Sequence, residues 1–306
     1  RIREMDSLTV CNNEMEPKDT TEYIYSFYLQ ESDALLVSGN EINGGDVGIR
    51  LIGGFGDEAL ANVLSGNRAI NIKDKGIYCE YQNDLTLTGN VVDSSAQNPG
   101  SDGIDITQIF NQSGVTLLEK NIIKNVSRYG IRVRNTPDGG LIQNNMVGGG
   151  FNQSGARGIY IHDLSSNWSL LNNSVNLDYD AGGSTGYSAI YIDGGSGHIV
   201  KNNNLAHTAT TGSGMAIRCP DGTVLDYNNY YNSAGENLVR VGSTIYKGAD
   251  YKDGGGANSR NHFPAFVSNT DLRLVPGSTL ENAGDNTVSV TDDVDGDARP
   301  HDGTID

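Results

Sequence analysis

A short strand pattern recurs along this chain at nearly constant spacing. It consists of a small residue, Ile, any residue, and an aliphatic residue or Cys. It occurs as GIRL (48–51), GIYC (76–79), GIDI (103–106), GIRV (130–133), GIYI (158–161), AIYI (189–192) and AIRC (216–219). Successive Ile residues are 27 to 31 positions apart. A period of about 20 to 50 residues is typical of repeat architectures, in which each repeat stacks on the last.

Asparagine gives a second, independent repeat. Taking the last Asn of each run, the series is Asn13, Asn40, Asn67, Asn90, Asn121, Asn145, Asn173, Asn203 and Asn229. Its eight steps cover 216 residues, a mean of 27. Each repeat is too short for a βα unit and alternates β-branched with polar residues before Gly and Asn. The sequence therefore predicts an all-β parallel β-helix of about nine coils, with asparagines stacked at one turn.

The repeat stops after residue 241. We expect residues 1–241 to form the coils and residues 242–306 to form a capping segment of the same domain, because an exposed last coil would be an open sheet edge.

The first residues of the chain, from Arg1, already have the pattern of the end of a coil, so we expect the sequence to be part of a longer, multidomain chain. It has no run of about 18 apolar residues, which argues against a membrane span. Its formal charge of −17 argues against a nucleic-acid partner.

Two columns of side chains are predicted to lie on the outer side of the Ile strands. Side chains alternate along a strand, so the residue after each Ile and the residue two positions further on should point outward. We call the resulting set the Arg/Tyr face: Arg50, Tyr78, Asp105, Arg132, Arg134, Tyr160, His162, Tyr191, Asp193 and Arg218. Arginine binds carboxylate or sulfate at two points, and tyrosine stacks on sugars. The face is therefore predicted to bind an acidic polysaccharide, as in a surface binding or adhesin-type protein.

Two alternatives remain open for this face. In a polysaccharide lyase, Arg132 or Arg134 would neutralise the uronate and His162 or Tyr160 would remove the C5 proton. A tyrosine, with Tyr191 as a further candidate, would then protonate the leaving oxygen. In a passive structural stalk, Arg–Asp and Arg–Tyr neighbours on adjacent strands would only favour stacking.

An acidic turn near the C-terminus is a candidate calcium site. Asp293, Asp295 and Asp297 place carboxylates at alternate positions around a Gly bend, which suits a hard cation. Gly296 does not stand at the EF-hand position, and no Glu closes the loop. The alternative is a solvated acidic turn.

Several longer strings resemble a known group of proteins. They are NNSVNL (172–177), GYSAIYI (186–192), DYNNYY (226–231), FVSNTDLRL (266–274), GSTLENAG (277–284) and DVDGDARP (293–300). Over nearly its whole length the chain is similar to the secreted right-handed parallel β-helix repeat proteins of Bacteroidetes-type bacteria. The resemblance implies a right-handed coil, a secreted or cell-surface location, and a C-terminal secretion or anchoring domain that this sequence lacks.

Overall fold

The computed structural model describes residues 1–17, 23–56, 59–94, 100–112, 114–179, 187–210 and 214–299. Over these ranges the strands stack into three long sheets, one of twelve strands and two of nine. The chain visits the sheets in turn, so that one strand from each makes up a coil. All strand pairs but the last of the first sheet are parallel. The predicted all-β, right-handed parallel β-helix is confirmed.

The first sheet contains the Ile strands. Its members are Ile2–Arg3, Tyr25–Gln30, Val47–Ile52, Ala59–Leu60, Lys75–Asn83, Asp102–Phe110, Tyr129–Arg134, Arg157–His162, Ser188–Ile192, Met215–Cys219, Asn237–Val241 and Thr244–Lys247. Ala59–Leu60 pairs only with Lys75–Asn83, beside the main path.

The second and third sheets are built from shorter strands. The second contains Thr9–Cys11, Leu36–Ser38, Val63–Ser65, Thr86–Thr88, Leu117–Glu119, Gly140–Gln143, Trp168–Leu171, Ile199–Lys201 and Val224–Asp226. The third contains Glu14–Met15, Glu41–Asn43, Arg68–Ile70, Val91–Asp93, Ile122–Lys124, Met146–Gly148, Ser174–Leu177, Asn204–His207 and Asn229–Asn232. One aliphatic core runs between the three sheets.

The repeated small residue marks a break in the alternation of the first sheet. Ile131 is fully buried, and a Cβ added to Gly130 would lie 2.1 Å from Cγ1 of the core residue Val147. Gly130 and Ile131 therefore both face the core, and a larger residue than Gly would overlap the third sheet. The same contact recurs for Gly76 with Val92, Gly103 with Ile123, and Gly158 with Val175. Because two consecutive residues face the core, the residue before the glycine points to the outer face.

A ladder of asparagines connects the coils at the turn between the second and third sheets. In each step the backbone N–H and side-chain Nδ2 of one Asn donate to Oδ1 of the next, at 2.8–3.1 Å. From Asn40 onward, Nδ2 also donates to a carbonyl of the preceding coil at 2.8–3.0 Å. The members are Asn13, Asn40, Asn67, Asn90, Asn121, Asn145, Asn173, Asn203 and Asn228. All but Asn13 are buried.

The ninth member is Asn228, so the prediction of Asn229 was wrong by one residue. In the earlier Asn–Asn pairs the first Asn has a left-handed backbone and the second is the ladder member. In the last coil Tyr227 takes the left-handed position, with φ of 53°, and Asn228 follows it. Asn229 instead begins the next strand and bonds to His262. Ser259 continues the ladder by accepting the N–H of Asn228 at 3.1 Å.

After the last parallel strand the chain folds back over the final coil. Strand Thr244–Lys247 pairs antiparallel with Asn237–Val241 and is followed by a 3₁₀ turn, Gly248–Asp250, and a one-turn helix, Tyr251–Gly255. The Tyr251 ring packs edge-on against Tyr230, with centroids 6.3 Å apart. Tyr251 belongs to the hydrophobic core at this end of the solenoid, and Tyr246 packs against that core.

Residues 265–299, which we call the strap, then run back along the outside of the solenoid. Leu272, Leu280 and Val290 of the strap are buried. The N–H of Asp285 donates to Oδ1 of Asn202 at 2.8 Å, and Nδ2 of Asn144 donates to the carbonyl of Asp292 at 2.7 Å. The strap therefore contacts coils in the middle of the chain.

Replacing a buried ladder residue should destabilise the protein strongly. Asn145→Ala leaves the N–H and Nδ2 of Asn121 and the carbonyl of Leu118 without their partner. We expect the free energy of unfolding in urea to fall by about 2–4 kcal/mol. The exposed first member provides the control, since Asn13→Ala should cost less than about 1 kcal/mol. Equal losses at the two positions would contradict this role for the ladder.

The close contact at the small-residue position gives a second prediction. Gly130→Ala should lower the free energy of unfolding by about 1–3 kcal/mol, because its Cβ would overlap Val147. Gly235→Ala is the matched control, since nothing lies within 4 Å of its added Cβ. The same urea titration measures both, and an unchanged Gly130→Ala midpoint would show that the core adjusts freely.

Candidate functional site

The Arg/Tyr face lies on the outer side of the first sheet. Its main row pairs residue by residue across neighbouring strands, in the order Tyr28, Arg50, Tyr78, Asp105, Arg132, Tyr160, Tyr191, Arg218 and Arg240. Arg134 pairs with His162 beside this row, and Asp193 directly follows Ser188–Ile192. The ten candidate residues therefore share one face, while their functional roles stay predictions.

A further row was missed because strict alternation would point it inward. It consists of Tyr25, Val47, Lys75, Asp102, Tyr129, Arg157, Ser188 and Met215, paired in that order. The two inward positions that follow, as at Gly130 and Ile131, bring this row to the outer face. The small residue before each Ile was the sequence signal that could have revealed this second outward row.

Two buried carboxylates form the centre of the face. Arg128 holds Asp102 at two points, with Nε–Oδ1 and Nη2–Oδ2 distances of 3.0 Å. Arg132 holds Asp105 in the same way, at 3.1 and 2.6 Å, and its Nη2 also lies 3.1 Å from Oδ2 of Asp102. Nη2 of Arg134 lies 3.2 Å from Oδ2 of Asp105. Both carboxylates are fully buried beneath these guanidinium groups.

Burial and ion pairing shift the pKa values of these side chains in opposite directions. Burial raises the pKa of Asp102 above its ordinary value, although hydrogen bonds from Arg128 and the charge of Arg132 oppose the shift. For Arg132, burial lowers the pKa, but its hydrogen bonds to Asp105 and the two carboxylate charges raise it overall. Arg132 and Arg134 thus already neutralise carboxylates of the chain itself.

An aromatic stack occupies the next coils. The rings of Tyr160 and Tyr191 are 5.3 Å apart at an interplanar angle of 21°. Cζ of Arg157 lies 3.8 Å from the Tyr160 centroid and 4.3 Å from that of Tyr191. The two tyrosines are only 5% and 6% exposed. Their ring faces are therefore covered by neighbours, and a sugar could reach only their edges.

Asp193 is hydrogen-bonded to this stack and is itself exposed to solvent. It accepts hydrogen bonds from the hydroxyls of Tyr191, at 3.0 Å, and Tyr160, at 3.3 Å. The His162 ring stacks on Tyr160, and its Nε2 lies 3.0 Å from Oδ1 of Asp163. The side chains of Asp193 and His162 are 44% and 34% exposed. They are the accessible polar groups of this part of the face.

The contacts are poorly suited to lyase chemistry. Burial raises the pKa of Tyr160, and burial together with Asp193 raises that of Tyr191, so neither phenol readily becomes a base. Arg132 and Arg134 already form ion pairs with Asp105, so each would have to share its charge between that carboxylate and a uronate. The lyase hypothesis stays a prediction that this arrangement does not favour.

The candidate calcium residues make a turn of a different kind. Oδ1 of Asp293 accepts the N–H groups of Asp295 and Asp297 at 2.9 and 2.8 Å. Arg273 binds Asp295 at two points, which holds the pKa of that carboxyl below its usual value. Across the described ranges, no group of three or more His, Cys, Asp or Glu side chains could hold a metal ion. These contacts favour the acidic-turn alternative.

Residues 4–147 match the family described as periplasmic copper-binding protein (NosD). The chain resembles this family over its first coils. The match covers just under half of the chain, up to strand Met146–Gly148 of the third sheet. No curated protein gives a significant match. Together with the β-helix, the family match indicates an extracellular or periplasmic module. No helix in the described parts of the chain is long and apolar enough to cross a membrane.

The copper in that family description has no evident ligands here. Copper favours imidazole, thiolate and thioether ligands, but residues 4–147 contain no histidine. Of the two cysteines in this span, Cys79 is fully buried, and burial strongly raises the pKa of its thiol. Cys11 is exposed. Among the described residues of this span, no group of three or more His, Cys, Asp or Glu side chains could hold a metal ion.

Removing Arg132 should destabilise the protein, because the two buried carboxylates lose a counter-charge. Arg132→Met keeps most of the aliphatic volume, but it should lower the free energy of unfolding at neutral pH by about 3–5 kcal/mol. The loss should shrink as pH falls, because the folded-state pKa of Asp102 is already raised and a protonated carboxyl needs no counter-charge. Urea titrations at several pH values test this.

Arg218→Met is the matched control for that variant. Arg218 lies in the same row and stacks on Tyr191, with its Cζ 4.5 Å from the ring centroid. Losing this contact should cost about 1 kcal/mol, with little dependence on pH. A pH-independent loss in Arg132→Met would contradict the electrostatic explanation.

Proposed function

We propose that this chain is an extracytoplasmic β-helix module that binds an acidic polysaccharide along the Arg/Tyr face. The supporting observation is that Arg50 and Arg218 lie in the main outward row without a carboxylate partner among the described residues. In a chain of net charge −17, most polyanions would be repelled. Binding must therefore rest on a few well-positioned cations.

Tyrosine rings hold both arginines in place. Cζ of Arg50 lies 4.6 Å from the Tyr25 centroid and 5.0 Å from that of Tyr28, while Arg218 stacks on Tyr191. Stacking uses the flat side of a guanidinium and leaves N–H groups at its edge to donate to a carboxylate or sulfate. In Arg50 only the Nη groups can do so, because Nε is buried. Because the side chains are already ordered, less conformational entropy is lost on binding.

The two arginines mark the ends of a strip along the solenoid axis. Six strand steps separate them, which is roughly 29 Å at about 4.8 Å per step. Between them, the side chains of Arg128 and Arg134 remain 34% and 28% exposed above the buried carboxylates. A strip of this length suits several consecutive sugar units better than a single one.

The proposal extends to the location of the protein and to the role of its C-terminal segment. The resemblance to secreted β-helix proteins of Bacteroidetes-type bacteria supports display at a bacterial surface. Residues 242–306 are expected to cap the 1–241 coils, and we propose that residues 244–255 have this role, in line with the pairing of Thr244–Lys247 on the last parallel strand. Residues 265–299 lie along the side of the coils instead, and residues 300–306 lie outside the described ranges. A passive stalk remains the outcome if no glycan binds.

Affinity electrophoresis in gels containing polygalacturonate, alginate or a sulfated glycan tests the proposal. The protein should be retarded by at least one of them, and added salt should weaken the effect. Arg50→Gln combined with Arg218→Gln should abolish most of the retardation, because the strip then lacks the arginine at each of its two ends.

The control carries the same change of charge elsewhere. Arg68→Gln combined with Lys252→Gln removes two exposed cations outside the first sheet. Equal loss in both double variants would show that only net charge matters, and no retardation by any glycan would leave the passive stalk. Ultraviolet absorbance of the same mixtures would rise only if the lyase alternative holds.

A further inference from the structure

A second candidate site lies away from the Arg/Tyr face, between the strap and the turn that carries the asparagine ladder. Here a partly open cavity of about 300 Å³ lies between the coils on one side and the strap on the other. This volume is at the lower end of the range for small-molecule sites. Met146, Leu272 and Leu280 supply apolar wall, and asparagine side chains supply polar wall.

An outer column of asparagines accompanies the ladder in these coils. Asn144, Asn172 and Asn202 each precede a ladder member and have left-handed backbones, with φ of 55°, 55° and 57°. Gly39, Gly66 and Gly89 take this place in three earlier coils, and Asn12 and Lys120 take it in two others. Asparagine tolerates the left-handed conformation, so the hydrogen bonds of each side chain decide what it contributes here.

The strap explains two of these three asparagines. Nδ2 of Asn202 donates to the carbonyl of Asp285 at 3.2 Å, and its Oδ1 accepts the N–H of the same residue at 2.8 Å. Nδ2 of Asn144 donates to the carbonyl of Asp292, and its Oδ1 accepts from Arg299. In both cases the amide is bonded at two points, once as donor and once as acceptor.

Asn172, between them, has no such partner. The residue is 6% exposed and lines the cavity, yet within the described residues neither Nδ2 nor Oδ1 makes a hydrogen bond. A buried amide without partners costs free energy, and native proteins rarely leave one unpaired. The structure therefore contains an unpaired donor and an unpaired acceptor, side by side, in a residue that lines the partly open cavity.

The charges around the cavity are balanced. Three arginines and three carboxylates line it: Arg260, Arg273, Arg299, Glu281, Asp293 and Asp295. Arg273 is bound by Asp295, and Nη1 of Arg260 donates to the carbonyl of Thr279 at 3.0 Å. The formal charges of the lining residues therefore sum to zero, and a neutral ligand can enter without needing a counter-charge.

We propose that this cavity binds a neutral sugar unit, with Asn172 pairing to two adjacent hydroxyl groups. One hydroxyl accepts from Nδ2 and its neighbour donates to Oδ1, which repeats the two-point bonding of Asn144 and Asn202. The aliphatic wall formed by Met146, Leu272 and Leu280 contacts the apolar side of the ring. The site differs in position and in charge preference from the Arg/Tyr face.

Saturation-transfer NMR and calorimetry with glucose, galactose and mannose, with galacturonate as the charged counterpart, test this proposal. At least one neutral hexose should bind the full chain, and galacturonate should bind more weakly. Asn172→Gly should weaken the neutral sugar about tenfold. Glycine suits the left-handed backbone, so this variant removes the amide without backbone strain.

Asn12→Gly is the matched control, since Asn12 has the same left-handed backbone in the first coil, away from the cavity. It should bind sugar as the wild type does, as should the Arg50→Gln, Arg218→Gln double variant. Thermal unfolding of each variant checks that it is folded. The proposal is overturned if no neutral hexose binds, if Asn172→Gly binds as well as Asn12→Gly, or if galacturonate binds at least as tightly.

Discussion

The stacked asparagine amides are the interaction on which the rest of this structure depends. Each one satisfies two donors of the preceding ladder member and a carbonyl of the preceding coil, in a place that water does not reach. Consecutive members are separated by between 23 and 31 residues, yet every coil meets its neighbour at the same turn. The ladder thus fixes the register of the coils while the loops absorb differences in length.

On the outer side of the first sheet, that register has two consequences. It brings arginines next to aspartates and tyrosines on successive strands, where they neutralise and cover one another. It also leaves Arg50 and Arg218 in the same row, ordered by tyrosines but not by carboxylates. The same row therefore contains residues that stabilise the stack and residues proposed to bind a ligand. The two kinds differ only in whether a carboxylate of the chain is bound to them.

The sequence predicted the fold and the main outward row because both depend on residue type at a fixed period. Ile131 and Asn145, for example, are the kinds of residue that a core position and a stacked turn require. It did not predict that Arg132 would be bound by Asp105, because pairing depends on side-chain directions across strands. Nor did it reveal the outward positions of Asp102, Tyr129 and Arg157, since two successive inward residues break the period on which the prediction relied.

The strap lies outside the repeat altogether, and its position implies an order of assembly. A hydrogen bond between two ladder asparagines joins residues at most 31 positions apart, whereas Lys120 and Asp292 are joined across 172. Closing the longer loop costs more entropy, and coils can already stack through their short-range contacts. During synthesis, the coils that the strap covers are complete before the strap itself has been made. The solenoid therefore passes through a stage in which this flank is open, and docking of the strap is the step that closes it.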